Sequence, residues 1–310
     1  MLYWGIFAFL IAAGLFVVSY TTWQIFKNTL YTGNKRERTR ACPEESCDAQ
    51  KEMFAIGTAW AARYKEITEP LHIVNDGLNL YGEYINFGHA QCAVIVQGRT
   101  ESLLYSYYYA DVYAENGYNI LVIDTRAHGL SDGNCVTAGV LEHKDLILWI
   151  HLVKERYSVA SFLIHGVCIG AAAGVYAYCA AKEENLIGAL VLDGLYTSYY
   201  EIFRNHIIER KKPVWFFVHL TFFCAYLCTG ANLIKETPYK RMGEIEIPAL
   251  FIWGGKDIYC TKEKSNALFQ ACKSAYKEKK FFANGGHSFV RYYNLDTYDK
   301  TIHEFLNKER

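Results

Sequence analysis

Two hydrophobic rhythms divide the chain. Leu2 to Phe26 is apolar throughout, with no charged side chain, and about 20 such residues suffice to cross a bilayer. No Lys or Arg precedes Leu2, and the stretch is longer than a usual signal core. It therefore reads as a transmembrane anchor rather than a cleavable leader or a buried helix. Lys27, Lys35, Arg36, Arg38 and Arg40 follow it. By the positive-inside tendency this flank, and the body behind it, faces the cytoplasm. The second rhythm starts after a polar tether and an amphipathic helix, Asp48 to Ile67, with Met53, Ile56, Trp60 and Tyr64 at helical spacing. Residues 71–74 and 78–87 form a strand pair around an Asp76-Gly77 turn. Strands and helices then alternate. Strands are expected at 93–96, 120–123, 162–164, 188–192, 249–253 and 280–282. Helices are expected at 101–116, 141–157, 168–181, 262–276 and 297–306.

Opening antiparallel strands followed by repeated βαβ units predict an α/β fold, a mostly parallel sheet with helices on both faces. Between Leu192 and Pro248 lie more than fifty residues with no clear strand, too long for a structureless loop in a compact domain. We read 194–247 as an inserted helical lid whose aromatic centre, PVWFFVHLTFFCAYLCTG (213–230), packs on the body, lines an acyl pocket or touches a bilayer. The division is thus 1–27 anchor, 28–67 tether and amphipathic helix, and 68–310 α/β domain carrying the lid.

Composition narrows the classes. Lys+Arg and Asp+Glu balance at 32 each, and a neutral body without a basic run argues against nucleic acid as a partner. The 10 cysteines contain no Cys-x-x-Cys pair, which argues against a zinc ribbon or thioredoxin-type site. They read as reduced thiols, although Cys42 and Cys47 would be free to bridge if their segment lay outside the cell.

The candidate chemistry lies in a strand-to-helix junction. Gly129-Leu130-Ser131-Asp132-Gly133 matches Gly-x-Ser-x-Gly literally but lies in a polar loop with no helix after it. The required context occurs at FLIHGVCIGAAAG (162–174), where an apolar strand runs into Gly166-Val167-Cys168-Ile169-Gly170 and then a small-residue helix. Unpaired amides at a helix N-terminus favour a thiolate there. A nucleophile needs a base and an orienting acid. His287, in a glycine-rich loop after the last strand, is the candidate base, ahead of His128, His165 and His303. Asp257, at the glycine turn after 249–253, is the candidate acid, with Asp193 as runner-up. The oxyanion donors are expected from the backbone of Ile169 and of Arg99, in the turn after 93–96.

These residues resemble the α/β-hydrolase superfamily from about Leu71 to the C-terminus, with the nearest likeness to the serine-aminopeptidase branch that includes monoacylglycerol lipases and bacterial lysophospholipases. QGRTES (97–102), DTRAHGLSDG (124–133), HGVCIG (165–170), GGKD (254–257) and GGHS (285–288) carry the resemblance. Ala127 replaces a glycine of that branch's pattern, Gln97 its common histidine, and Cys168 its serine. The cysteine elbow is similar to that of dienelactone hydrolases and polyhydroxyalkanoate synthases. The resemblance implies a membrane-anchored hydrolase of a lipophilic ester or thioester using Cys168, His287 and Asp257. It needs no cofactor or metal, and its partners are an acyl substrate and the membrane. Acyl transfer by the same residues, peptidase action, or an inactive scaffold are the competing expectations.

Overall fold

The structure, a computed structural model, describes residues 2–33, 41–42, 46–209 and 214–308. Lys35, Arg36, Arg38 and Arg40 lie outside the described residues. Helix α1 (Leu2–Thr29) is continuous. Its Tyr3–Thr29 portion, 27 residues that include an 18-residue stretch of mean hydropathy 1.9, is long and apolar enough to cross a membrane. Its end is anchored to the body. Phe26 and Leu30 are fully buried, Tyr31 bridges Cys135, and the Val136 amide donates to the Leu30 carbonyl at 2.8 Å. Helix α2 (Asp48–Arg63) follows and buries Ala49, Met53, Gly57 and Trp60. The period agrees with the sequence reading, but Ile56 faces solvent and the small Gly57 takes its place, letting α2 approach the Leu104 carbonyl. Cys42 and Cys47 are not bridged to each other, and Cys42 Sγ accepts a hydrogen bond from the Tyr105 hydroxyl at 3.3 Å.

The body is one eight-stranded sheet: β1 (Thr68–Asn75), β2 (Leu78–Ile85), β3 (Gln91–Val96), β4 (Asn119–Ile123), β5 (Ser161–Val167), β6 (Ile187–Asp193), β7 (Ala249–Gly254) and β8 (Lys277–Phe282), in spatial order β1-β2-β4-β3-β5-β6-β7-β8. β1 and β2 pair antiparallel, as do β2 and β4; every other neighbouring pair is parallel. The central strands are buried along their length, as a parallel sheet covered on both faces requires. The remaining helices are α3 (Leu103–Ser106), α4 (Ala110–Glu115), α5 (Glu142–Tyr157), α6 (Ile169–Ala181), α7 (Tyr199–Glu209), α8 (Val214–Thr229), α9 (Pro238–Arg241), α10 (Lys262–Ala271), α11 (Val290–Tyr293) and α12 (Leu295–Lys308).

Three expected helices are shorter than read. The 48–67 helix stops at Arg63, and Lys65–Ile67 is a 3-10 turn. The 101–116 helix breaks into α3, a 3-10 turn at Tyr107–Tyr109, and α4. Tyr105, Tyr107, Tyr108 and Tyr109 are all buried, and three consecutive buried rings cannot share one face of a regular helix. The 262–276 helix ends at Ala271, where Cys272 turns extended (ψ 131). The chain must straighten there so that Tyr276 can accept the Ala249 amide at 3.1 Å and start β8 beside β7. Between β6 and β7 the described residues form α7, α8 and α9, with no strand.

The loop after β4 carries the DTRAHGLSDG motif, and it is structural. The Asp124 carboxylate accepts the Leu103 amide at 2.8 Å and the Leu130 amide at 2.9 Å. Arg126 makes a bidentate pair with Asp145, both bonds 2.7 Å. Ser131 Oγ donates to the Asp124 carbonyl at 2.6 Å and accepts the Tyr81 amide at 2.9 Å. Ala127 sits at φ 66, where a Cβ costs roughly 1–2 kcal/mol. Ala127→Gly is therefore expected to stabilise the fold by about 0.5–1 kcal/mol, after allowing for the freer unfolded chain. A higher melting temperature in detergent checks this; an unchanged or lower one means the loop does not strain at Ala127.

Candidate active site

β5 ends at Val167, and α6 starts at Ile169. Cys168 alone makes the turn, at φ 55 and ψ −110, a region that L residues occupy only when the surroundings impose it. The flanking glycines explain how. A Cβ on Gly166 would collide with the Ala171 amide, and one on Gly170 with the Val96 carbonyl. The α6 N-terminus thus sits tight against β3 and β5, with Cys168 projected above the sheet and buried to 8% exposure. The Cys168 amide donates to the Asp193 carbonyl at 2.9 Å, fixing the turn from the neighbouring strand.

His287 comes from the loop after β8. Its Nδ1 lies 2.8 Å from Asp257 Oδ2, and its ring lines the same cleft as Cys168. Gly194, at φ 63, lets the chain after β6 pass beneath the imidazole, where a side chain would press on the ring. Burial works to lower the His287 pKa, but the negative charge that Cys168 can carry, with the bond to Asp257, raises it well above its ordinary value. Burial opposes ionisation of Asp257, yet the bond from His287 and the Cys260 and Tyr259 amides overcome it and hold the carboxyl below its ordinary value. Both amides donate to Oδ1 at 2.8 Å. The nucleophile, base and acid candidates of the sequence thus stand together.

The oxyanion candidates flank this group. Ile169 is the first residue of α6, and first-turn amides have no partner within their helix. In the other wall, Glu101 Oε2 accepts the Gly98 amide at 3.0 Å, and the Arg99 carbonyl lies 2.5 Å from His128 Nε2. His128 therefore braces the Arg99 turn. The Arg99 guanidinium points away from the sheet and donates to the Thr29 carbonyl of α1 at 2.8 Å. A cleft of about 220 Å³ joins these parts, lined by Cys168, His287, Arg99 and Glu101, by Ile202 and Phe203 of α7, and by Asn28 and Thr29 of α1.

Asp193, the runner-up acid, belongs to a different network. Its Oδ2 accepts the Tyr298 hydroxyl at 2.7 Å, and Tyr298 also lies 3.1 Å from His165 Nε2. His165 completes the chain at Tyr113, 3.0 Å from Nδ1, fully buried beneath the elbow. Burial pushes His165 down to about 3 and Asp193 up to about 7, so His165 is neutral. Asp193 keeps its proton over a pH range in which the unfolded chain loses it. Folding that retains a proton loses stability as pH rises, here between about 4 and 7. Asn imitates the protonated carboxyl, so the stability of Asp193→Asn relative to wild type is expected to grow over that window, by on the order of 3–4 kcal/mol. Unfolding free energies in detergent at several pH values check this; a pH-independent difference refutes the buried proton.

Two residues near the base escaped the sequence reading. Glu101 lines the cleft and is pushed up by burial, against the Gly98 amide and His287. Cys260 lies on the Asp257 side of the imidazole, its Sγ 3.8 Å from Nδ1 and 3.1 Å from the Gly194 carbonyl, and burial pushes its thiol up to about 12. Asp257, Cys260 and His287 place one donor atom each within 4.8 Å of one another, but two of the three are already spent on each other. Only the fold brings these groups to the imidazole, so no local motif announces them.

No family model matches the chain. It is 27% identical over 216 residues to the YqkD protein of Bacillus subtilis (strain 168), covering 69% of this chain and 70% of that one. Among solved structures, an esterase of Pyrococcus furiosus superposes with a TM-score of 0.64 at 20% identity, over 79% of this chain and 93% of its own. Alpha/beta hydrolase domain-containing protein 10 from mouse gives 0.57 at 14%, over 78% and 100%. The enol-lactonase of Burkholderia xenovorans LB400 gives 0.52 at 17%, over 76% and 100%. Strand order, the elbow and these superpositions lead to one conclusion: the chain has the α/β-hydrolase fold.

Proposed function

We propose that this protein is a membrane-anchored acyl hydrolase that opens a lipophilic ester or thioester through Cys168, His287 and Asp257. The observation that carries the reading is the strained Cys168 turn at the head of α6, which shares its cleft with an imidazole that Asp257 holds from behind. Such strain persists where the surrounding structure over-determines it, and it clusters at sites of chemistry. Esterase and enol-lactonase relatives of the same fold support acyl–oxygen cleavage.

His287 takes the Cys168 proton, and sulfur attacks the acyl carbonyl. The carbonyl oxygen becomes an oxyanion facing the Ile169 and Arg99 amides. The tetrahedral species collapses as His287 returns the proton to the leaving alcohol or thiol, leaving a thioester on Cys168. Water, deprotonated by His287, attacks this thioester and releases the acid and free Cys168. Asp257 holds Nδ1–H, so Nε2 faces the thiol throughout. The helices α7–α9 serve as the lid, with Ile202 and Phe203 giving the acyl chain an apolar wall. Lys27 and the basic residues after it favour a cytoplasmic body.

The test is covalent labelling. Iodoacetamide is expected to modify Cys168 faster than Cys47 or Cys228, which are exposed, and His287→Ala to remove that advantage. Cys168 labelling at the rate of an ordinary thiol in both proteins refutes the reading. Mass analysis of products from an acyl ester, with and without an added alcohol or amine, separates hydrolysis from acyl transfer.

A further inference from the structure

Helix α8 is apolar on every side but not covered on every side. Phe217, Val218, Thr221, Phe222 and Ala225 are buried against the body. On the opposite face Phe216 is 43%, Phe223 55% and Leu227 67% exposed. At 100° per residue these three fall within an arc of about 40°. A surface helix whose outer face is meant for water carries polar residues there; this one carries rings and a leucine.

What covers that face follows from its neighbour. α8 packs against α1, the one described helix long and apolar enough to span a membrane. α1 is not free to swing. Its last turns are buried at Thr22, Ile25, Phe26 and Leu30, and Arg99 and Val136 bond the carbonyls of Thr29 and Leu30. The direction of α1 therefore fixes the body relative to the bilayer. Its 28 residues are about 42 Å long, against roughly 30 Å of hydrocarbon. The surplus at its C-terminal end, where α8 packs, falls at headgroup depth. α8, with 16 residues, is about 24 Å long, too short to span and suited to lie at the interface. Asn28 and Thr29, at that same depth, line the catalytic cleft.

We propose that the Phe216–Phe223–Leu227 face of α8 sits in the bilayer interface beside α1, so that the cleft opens at headgroup depth and takes its acyl lipid sideways from the membrane. The substrate half rests on the Cys168 hydrolase reading; the membrane half stands without it.

The experiment uses the full chain in phosphatidylcholine vesicles. A photoreactive benzoylphenylalanine replaces Leu227, or in a control replaces His89, which is exposed in the loop entering β3 at the opposite end of the strands from Cys168. Light is expected to give a phospholipid adduct at position 227 and none at 89. Equal yields at the two positions, or a covalent dimer at 227 in place of a lipid adduct, overturn the proposal. The second arm combines Phe223→Asp with Leu227→Asp. Turnover of a long-chain acyl ester embedded in vesicles is expected to fall about tenfold or more, with kcat/KM for a soluble short-chain ester kept within about twofold. Unchanged turnover of both esters overturns lateral entry. A wild-type chain that hydrolyses neither ester, yet still crosslinks lipid at 227, overturns the substrate half and supports the membrane half.

Discussion

Cys168→Ala is expected to lower kcat/KM for an acyl ester by about ten-thousand-fold or more, close to the loss on removing the whole nucleophilic assembly, because base and acid have nothing to activate once the sulfur is gone. The residue touches the fold lightly. Cys168 holds its place through its backbone, with its amide on the Asp193 carbonyl and its own carbonyl accepting the Ala172 amide at 3.2 Å. The alanine variant should therefore fold and melt near the wild-type temperature. Cys168→Ser is the informative partner. The turn, His287 and Asp257 remain, so the hydroxyl should retain measurable hydrolysis, lose inactivation by iodoacetamide and gain labelling by a fluorophosphonate. An alanine variant that keeps wild-type turnover excludes Cys168 as nucleophile. A serine variant inert to both substrate and fluorophosphonate indicates that the elbow positions no attacking atom.

Asp257→Asn should cost about a thousand- to ten-thousand-fold in kcat, since the amide still fits but no longer enforces Nδ1–H on His287. The pH profile separates this from simple misfolding. The bond to Asp257 is among the interactions that raise His287 above its ordinary value, after the charge of Cys168. The protonated imidazole, needed to release the leaving group, is lost as pH rises through that raised value. Weakening the support lowers the value, so the alkaline limb of the residual activity is expected to move to lower pH. The same sign applies to stability. A raised imidazole pKa stabilises the fold fully below the ordinary histidine range, and this stabilisation fades as pH rises through the folded value. Asp193→Asn leaves the His287 bond untouched and should keep the alkaline limb in place. If it removes activity as completely as Asp257→Asn, the acid has been assigned to the wrong strand end.

Local order in the chain carried much of this. The uninterrupted apolar run of α1, the alternation from β3 to α12, the Asp76-Gly77 hairpin and the Gly-x-Cys-x-Gly junction are all short-range patterns, set by backbone sterics and by which faces must leave water. They sufficed to choose Cys168 over Ser131, because only one of the two follows a buried strand and opens a helix. Groups that meet across the fold were not legible. Asp193 and Asp257 both follow parallel strands at neighbouring positions, and nothing local says which reaches His287; the distance of 2.8 Å to Asp257 and the Tyr298 bond on Asp193 decide it. Cys260 and Glu101 approach the imidazole from separate loops. The run of tyrosines reads as one helix until three buried rings compete for the same face. The sequence by itself therefore determined the long apolar helix, the sheet and the place of Cys168 at the strand-to-helix turn, because each depends on periodicity within a single segment. Tertiary structure alone decided which carboxylate meets His287, and that the end of α1 is part of the cleft wall. Both depend on contacts between residues far apart in the chain, whose meeting only the packed sheet enforces.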